Sequence, residues 1–419
     1  MGKKVFYGWW NVAAMFPAML VHAGAAFYVF GIFYKPLFAE FGWNRVQVAG
    51  AITIYLLTVG LSAPLIGRLA DLYRPKKVII TGAVTAGIAF ALLSRIDALW
   101  QFYFLYLVLG LSFSACGAVP VNTAITNWFT RKRGMAIGIA MAGVSLGAFT
   151  ITPAGAYILA WAGWRAVYLF LAVVTVVLVV PPMLLAMRNT PQELGLLPDG
   201  DIPGSVMSNP AAAGQNPVPH ETGADWTLGT ASRTAVFWLI CLSFYLIYFG
   251  VGAVLQHQIM FLTDMGIPLT AAAVALGVTG LIGGIGKIVI GLICDRFSPK
   301  RVTAFCFALQ ALGILILLFA KSMAMVWVFA VVFGFSMGGQ LALQPIIVGY
   351  FFGLRSFGTI YGIVLMAGAV GTATGPILAA MIYSAAGSYF YAFSSCVAAA
   401  LMASLMVITL RRPVPAVAK

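Results

Sequence analysis

Charge is what this chain has least of. Only 8% of its 419 residues are Asp, Glu, Lys or Arg, and just 10 are acidic. A soluble domain carries about a quarter charged residues. So few cannot coat a water-facing surface of this size, which excludes a soluble globular protein and a disordered chain. Cysteine is scarce as well. Cys116, Cys241, Cys294, Cys306 and Cys396 form no CxxC pair, which excludes a disulfide-rich secreted module and leaves five small packing residues. The three histidines are remote from one another, so no metal site is expected. The chain has no G-x-x-x-x-G-K-[ST] phosphate loop and no carboxylate pair, so neither an enzyme nor a cofactor is expected.

What the chain does have is apolar sequence. Hydrophobic residues make up 62% of it, in continuous runs rather than the alternating pattern of a membrane barrel. Backbone groups in hydrocarbon must be satisfied within their own segment, so the runs are helices, and each crossing needs about 20 residues. Twelve spans are predicted at 9–36, 46–67, 77–96, 99–126, 134–160, 165–187, 234–262, 270–294, 301–320, 324–351, 358–384 and 388–410. The expected fold is an all-α polytopic membrane protein. Its organisation is a six-helix bundle over 1–187, a cytoplasmic linker over 188–233 and a second six-helix bundle over 234–419. The linker holds half of the acidic residues, and its Pro/Gly/Ala/Asn-rich middle, 203–219, reads as mobile because it cannot bury a core.

The net charge of +14 suggests nucleic acid until the basic residues are placed. With both termini and the even-to-odd loops in the cytoplasm, 18 of the 24 Lys and Arg fall on that side and five on the other. The excess therefore reports topology and contact with anionic lipid, not nucleic acid. The expected location is the inner (cytoplasmic) membrane, with both termini cytoplasmic and the first helix retained as a span. Phe6 stands where a myristoylation signal needs Ser or Thr.

The halves repeat. Gly67, Asp71, Pro75, Lys76, Lys77 and Val78 match Gly291, Asp295, Pro299, Lys300, Arg301 and Val302, each 224 residues on. Gly134, Gly138, Gly147 and Gly163 match Gly358, Gly362, Gly371 and Gly387 at the same offset. Six spans separate the copies, so both halves share one membrane orientation. This is a parallel repeat, related by an axis along the membrane normal.

The remaining basic residue, Lys287, lies inside the eighth span, about 12 Å along the helix from Asp295. No acidic residue lies deep in any predicted span. Intramembrane charges usually mark a transport path, so Lys287 reads as a cation that binds an anion; the bland alternative is a snorkelling or internally paired lysine. Gln340 and Gln344 share a helix face and either hydrogen-bond a substrate or glue helices together. Asn122 and Thr123 carry the same two readings. His257, between Gln256 and Gln258, can bind substrate, relay a proton or make a gating hydrogen bond, and His22 is the other group that titrates near neutral pH. Tyr28, Tyr245, Tyr248 and Tyr361 offer hydroxyls, with packing as the default for each. Asp71 with Arg68 and Arg74, and Asp295 with Arg296, form a candidate conformational latch between helix ends.

Gly67-Arg-Leu-Ala-Asp71-Leu-Tyr-Arg74-Pro-Lys-Lys77 resembles the signature loop between helices 2 and 3 of the major facilitator superfamily. Tyr7-Gly-Trp-Trp10, Phe41-Gly-Trp-Asn-Arg45, His257 to Gly266 and Pro191-Gln-Glu-Leu-Gly-Leu-Leu-Pro198 resemble its bacterial monocarboxylate transporters and oxalate/formate antiporters. The resemblance implies alternating access around a site near the bilayer midplane. It also implies a small carboxylate such as lactate or pyruvate as cargo, a proton as coupling ion, and function as a monomer. Family members often carry Arg-Pro-x-x-Gly in helix 8, the arginine holding the carboxylate; here the matching stretch is Lys287-Ile-Val-Ile-Gly291. Animal relatives have an aspartate one turn earlier, where this chain has Gly283. Oxalate transporters carry a second cation in helix 11, and the stretch Tyr361–Gly371 has none, which favours one carboxylate over two. An anion exchanger of oxalate/formate type and a non-transporting membrane sensor are the other readings.

Overall fold

Helices follow directly from the composition: long apolar runs satisfy their backbone internally and need no partner strand. The computed structural model describes residues 6–200 and 226–413. Among these, eleven helices are long and apolar enough to cross a membrane. One of them, Arg133–Leu185, has 53 residues. At 1.5 Å per residue it is about 80 Å long, more than twice the hydrocarbon thickness. It breaks at Gly163, whose φ of 78° and ψ of 173° are not helical, and so makes two crossings.

The twelve spans are α1 Gly8–Phe41, α2 Arg45–Tyr73, α3 Pro75–Leu93, α4 Leu99–Trp128, and α5 and α6, the segments of Arg133–Leu185 before and after Gly163. They continue as α7 Ala235–Asp264, α8 Leu269–Cys294, α9 Pro299–Leu318, α10 Met323–Phe352, α11 Phe357–Ala386 and α12 Tyr389–Thr409. Each lies within a few residues of its predicted span, except that α2 runs six residues further, to Tyr73, and α1 five. α1 does so through a π turn at Gly24–Tyr28 and a 3-10 stretch at Val29–Phe33. α4 is interrupted at Gly117, between Cys116 and Ala118. Pro120 lies four residues after Cys116, and a proline ring clashes with the carbonyl four residues back.

The chain divides into two compact units, Met1–Pro217 and Val218–Lys419. Each has the same internal plan. In the first, α1 packs on α5, α2 on α4, and α3 on α4 and α6; in the second, α7 packs on α11, α8 on α10, and α9 on α10 and α12. The repeated glycines mark that plan. Gly163 and Gly387 both have positive φ, where a side chain is disfavoured, at the ends of α5 and α11. Gly147 presses on the Leu20 carbonyl of α1, and Gly371 on the Tyr245 carbonyl of α7, so tightly that a Cβ would collide with either oxygen. Gly143-Val-Ser145-Leu-Gly147 spells the Gly-x-Ser-x-Gly pattern of a nucleophile elbow, which needs a strand-to-helix turn. Here it is uninterrupted helix, with both glycines packed on α1.

The basic end of the first unit is stitched together by the residues that follow α6. Asn11 Oδ1 accepts from Arg188 N–H at 2.7 Å, Asn189 Oδ1 accepts from Lys76 N–H at 3.0 Å, and Trp128 Nε1 donates to the Arg188 carbonyl at 2.9 Å. Asp199 accepts from Thr130 N–H at 2.9 Å, Thr130 Oγ1 at 2.5 Å and Arg131 N–H at 2.7 Å. Residues 188–200, placed in the linker by composition, are thus bound to the first unit through short 3-10 turns at Pro191–Leu194 and Pro198–Gly200. The far end of the interval is a helical turn, Leu228–Ala231, with Trp226 edge-on to Phe352 of α10. The 203–219 middle lies outside the described residues.

Candidate functional site

The glycines of α8 decide where Lys287 sits. A Cβ on Gly334 would lie 2.5 Å from the Thr279 carbonyl, and one on Gly338 would collide with the Gly283 carbonyl. Both contacts advance four residues on each helix, so α8 and α10 run parallel. The contacts that flank Lys287, Gly286 on the Phe335 carbonyl and Ile290 on Gly339, set it level with residues 336–339 of α10, just before Gln340 and a turn further from Gln344. Lys287 is 3% exposed. Desolvating an ammonium this far costs several kcal/mol, which an anion can offset.

Beside it, α10 carries two fully buried amides whose orientation is dictated by backbone. Gln310 of α9 donates from Nε2 to the Ile247 carbonyl of α7 at 3.0 Å. Its Oε1 therefore faces α10 and accepts from Gln340 Nε2. Gln344 Nε2 donates to the Val364 carbonyl of α11 at 3.0 Å. Tyr248 of α7 is half-buried, and Gly368 of α11 lies between its ring and the Gln344 amide. Tyr361 is 1% exposed and stacks on Phe357 with ring centres 5.6 Å apart.

The structure thus brings Gln340, Gln344 and Tyr248 together in the second unit, with Lys287 on the facing helix within a turn of Gln340. Gln310 was missed by sequence reasoning. Its signal was a lone amide within the apolar run Phe305-Cys-Phe-Ala-Leu-Gln310-Ala-Leu.

Other candidates lie apart from this group. His257 Nε2 is 3.0 Å from the Pro376 carbonyl of α11, and its Nδ1 is 3.2 Å from the Tyr389 hydroxyl of α12. A carbonyl only accepts, so Nε2 carries the proton and Nδ1 accepts from tyrosine. Both nitrogens are then engaged between helices. In the first unit, His22 faces the α4 break. Its ring centre is 5.7 Å from that of Phe113, and a Cβ on Gly117 would lie 3.2 Å from its Nδ1. Asn122 is fully buried just beyond the break, and Tyr28, at the end of the π turn, is 46% exposed.

In the latch motifs, Arg68 and Arg296 are exposed, Asp71 and Asp295 half-buried. Arg74 pairs with Glu193 at 3.4 Å. The tightest contacts of these loops come from a pair of repeated lysines outside the candidate latch. Lys76 Nζ donates to the Leu184 and Met187 carbonyls at the end of α6, both at 3.0 Å. Lys300, its copy 224 residues on, donates to the Leu410 carbonyl after α12 at 2.6 Å. A cation at a helix C-terminus meets unsatisfied carbonyls and the negative end of the dipole.

The model of the Major Facilitator Superfamily matches residues 15–296 and 258–419. Mouse monocarboxylate transporter 12 is 23% identical over 418 residues, covering 96% of this chain and 84% of that protein. Among solved structures, the proton:xylose symporter XylE superposes with a TM-score of 0.71 at 12% identity, over 95% of this chain and 94% of that one. The human organic anion transporter MFSD10 gives 0.69 at 14% identity, over 96% and 99%. One fold thus serves a sugar and organic anions, so the likeness in structure speaks for the fold alone. The repeated architecture and the family match together establish the chain as a multi-pass membrane transporter of the major facilitator superfamily.

Proposed function

We propose that this transporter moves a small organic monocarboxylate, of the lactate and pyruvate type, together with a proton by alternating access. The observation that carries the reading is the burial of Lys287 at 3% exposure, within a turn of the buried amide of Gln340. A lone carboxylate matches one ammonium in charge. Because the anion stabilises the protonated amine, proton and substrate bind favourably together. Lysine presents a point charge where arginine would present a planar fork, so it fixes the carboxylate less rigidly. Similarity to monocarboxylate transporter 12 supports the cargo class. His22 is the second candidate proton carrier. His257, with both nitrogens bonded between helices, acts as a strut. Asn122, Tyr28 and Tyr361 supply polar lining. Asp71 with Arg68 and Arg74, and Asp295 with Arg296, latch helix ends in one conformation. The protein works as a monomer in the inner membrane.

The test is uptake of labelled lactate into proteoliposomes under an inward proton gradient. Gradient-driven accumulation by the native protein, lost in Lys287→Gln, is expected. Uptake that survives Lys287→Gln sinks the assignment of that residue, and uptake that needs a preloaded counter-anion instead of the gradient identifies an exchanger.

A further inference from the structure

The amide relay in the second unit leaves a chemical asymmetry. Gln310, Gln340 and Gln344 are each at most 1% exposed. The Ile247 carbonyl fixes which end of Gln310 faces Gln340, and the Val364 carbonyl fixes Gln344. Each amide on α10 therefore spends a donor inside the protein. The acceptors Gln340 Oε1 and Gln344 Oε1 make no hydrogen bond among the described residues, and neither does the Tyr248 hydroxyl. Tyr248 and Gln344 flank a single backbone position. A Cβ on Gly368 would be 2.7 Å from the tyrosine ring and 3.4 Å from Gln344 Nε2.

Two buried carbonyl oxygens call for a donor. A buried polar group left unmatched is costly, so a site of this kind rejects a cargo that lacks the complementary group far more strongly than it rejects one differing by a methylene. From this we infer that the cargo is a hydroxylated monocarboxylate. Its carboxylate lies on Lys287, and its hydroxyl donates to Gln340 Oε1 or Gln344 Oε1 beside Tyr248. An ammonium also donates, but it would be buried near the Lys287 cation, and juxtaposed like charges are strongly disfavoured. A keto acid offers only acceptors to acceptors. The relay through Gln310 is the positioning device: by accepting from Gln340 Nε2 it leaves the Gln340 oxygen as the end of that amide without a partner among the described residues.

This inference rests on the monocarboxylate reading, and one experiment separates the two. Initial uptake of labelled lactate, pyruvate and propionate is measured in proteoliposomes of the full chain. For the native protein, KM for lactate is expected to be about tenfold below that for the other two. In Gln344→Leu and Gln310→Leu the KM ratio of propionate to lactate is expected to fall toward one. Equal KM values for the three acids in the native protein overturn the inference and leave the monocarboxylate reading standing. So does a proportional change for all three acids in the variants. Failure to take up any of the three overturns both. The native protein's preference needs no variant to fold, so it decides even where a substitution is unstable.

Discussion

On the proposed reading, Lys287 carries the charge and the α10 amides carry the discrimination. Lys287→Arg keeps the cation but exchanges a flexible ammonium for a bulkier fork. Where Gly283 and Gly286 hold α8 close to α10, the added volume is expected to raise KM for lactate several-fold without abolishing uptake. His257 makes a different kind of prediction. Its two bonds reach α11 and α12, and interhelical hydrogen bonds in membranes are worth about 0.6 kcal/mol each. His257→Phe is expected to lower the thermal midpoint in detergent by a few degrees. Tyr389→Phe removes one of the two bonds and should lower it by roughly half as much. A variant that keeps its stability but loses proton-driven uptake would reassign His257 from strut to proton carrier.

Helix pairs are held by glycine contacts and by caps supplied from elsewhere in the chain. Gly147→Ala places a methyl group against the Leu20 carbonyl, and α1 and α5 must part. The expected cost is about 1–3 kcal/mol, read as a lower thermal midpoint. Gly155→Ala on the same helix meets only side-chain atoms at 3.4 Å or more and should be tolerated. The strap after α6 offers a separate check. Asp199 binds the backbone of Thr130 and Arg131 just before α5 begins. In Asp199→Ala the 188–200 segment should be cut faster by trypsin, at Arg188, than in the native protein; an unchanged rate would show that Asn11, Lys76 and Trp128 suffice to hold it.

Across the whole molecule, a duplicated scaffold carries a proposed site built on one copy. Counting back 224 residues from Lys287, Gln310, Gln340 and Gln344 lands on Ala63, Ala86, Cys116 and Pro120. The paired glycines and the capping lysines Lys76 and Lys300 are kept in both halves, whereas the counterparts of Lys287 and the three glutamines carry neither a charge nor an amide. The repeat therefore specifies packing, and divergence from it specifies chemistry. The basic residues make the prediction that belongs at this scale. A fluorescent protein that matures only in the cytoplasm, fused after Lys419, should fluoresce, and a periplasmic phosphatase at the same place should be inactive. The reverse pattern would invert the topology.

Much of this was legible in one dimension. Apolar runs of membrane length dictated twelve helices because hydrocarbon leaves the backbone no other way to satisfy itself. The common offset exposed the duplication, and an isolated lysine in an apolar run exposed the cation. Two features were not legible, because they depend on groups brought together from distant parts of the chain. Composition assigned 188–200 to a linker, yet the donors that bind Asp199 and the acceptor that binds Arg188 lie nearly 70 and 177 residues away. Gln340 and Gln344 were visible on one helix face, but which of their atoms is bonded within the protein is decided by Gln310 and by two backbone carbonyls on α7 and α11. Sequence determined where the membrane helices run and which charge is buried among them, since both follow from the cost of leaving water. Only the tertiary structure decided the direction of the hydrogen bonds, because an amide's two ends are told apart by its neighbours in space.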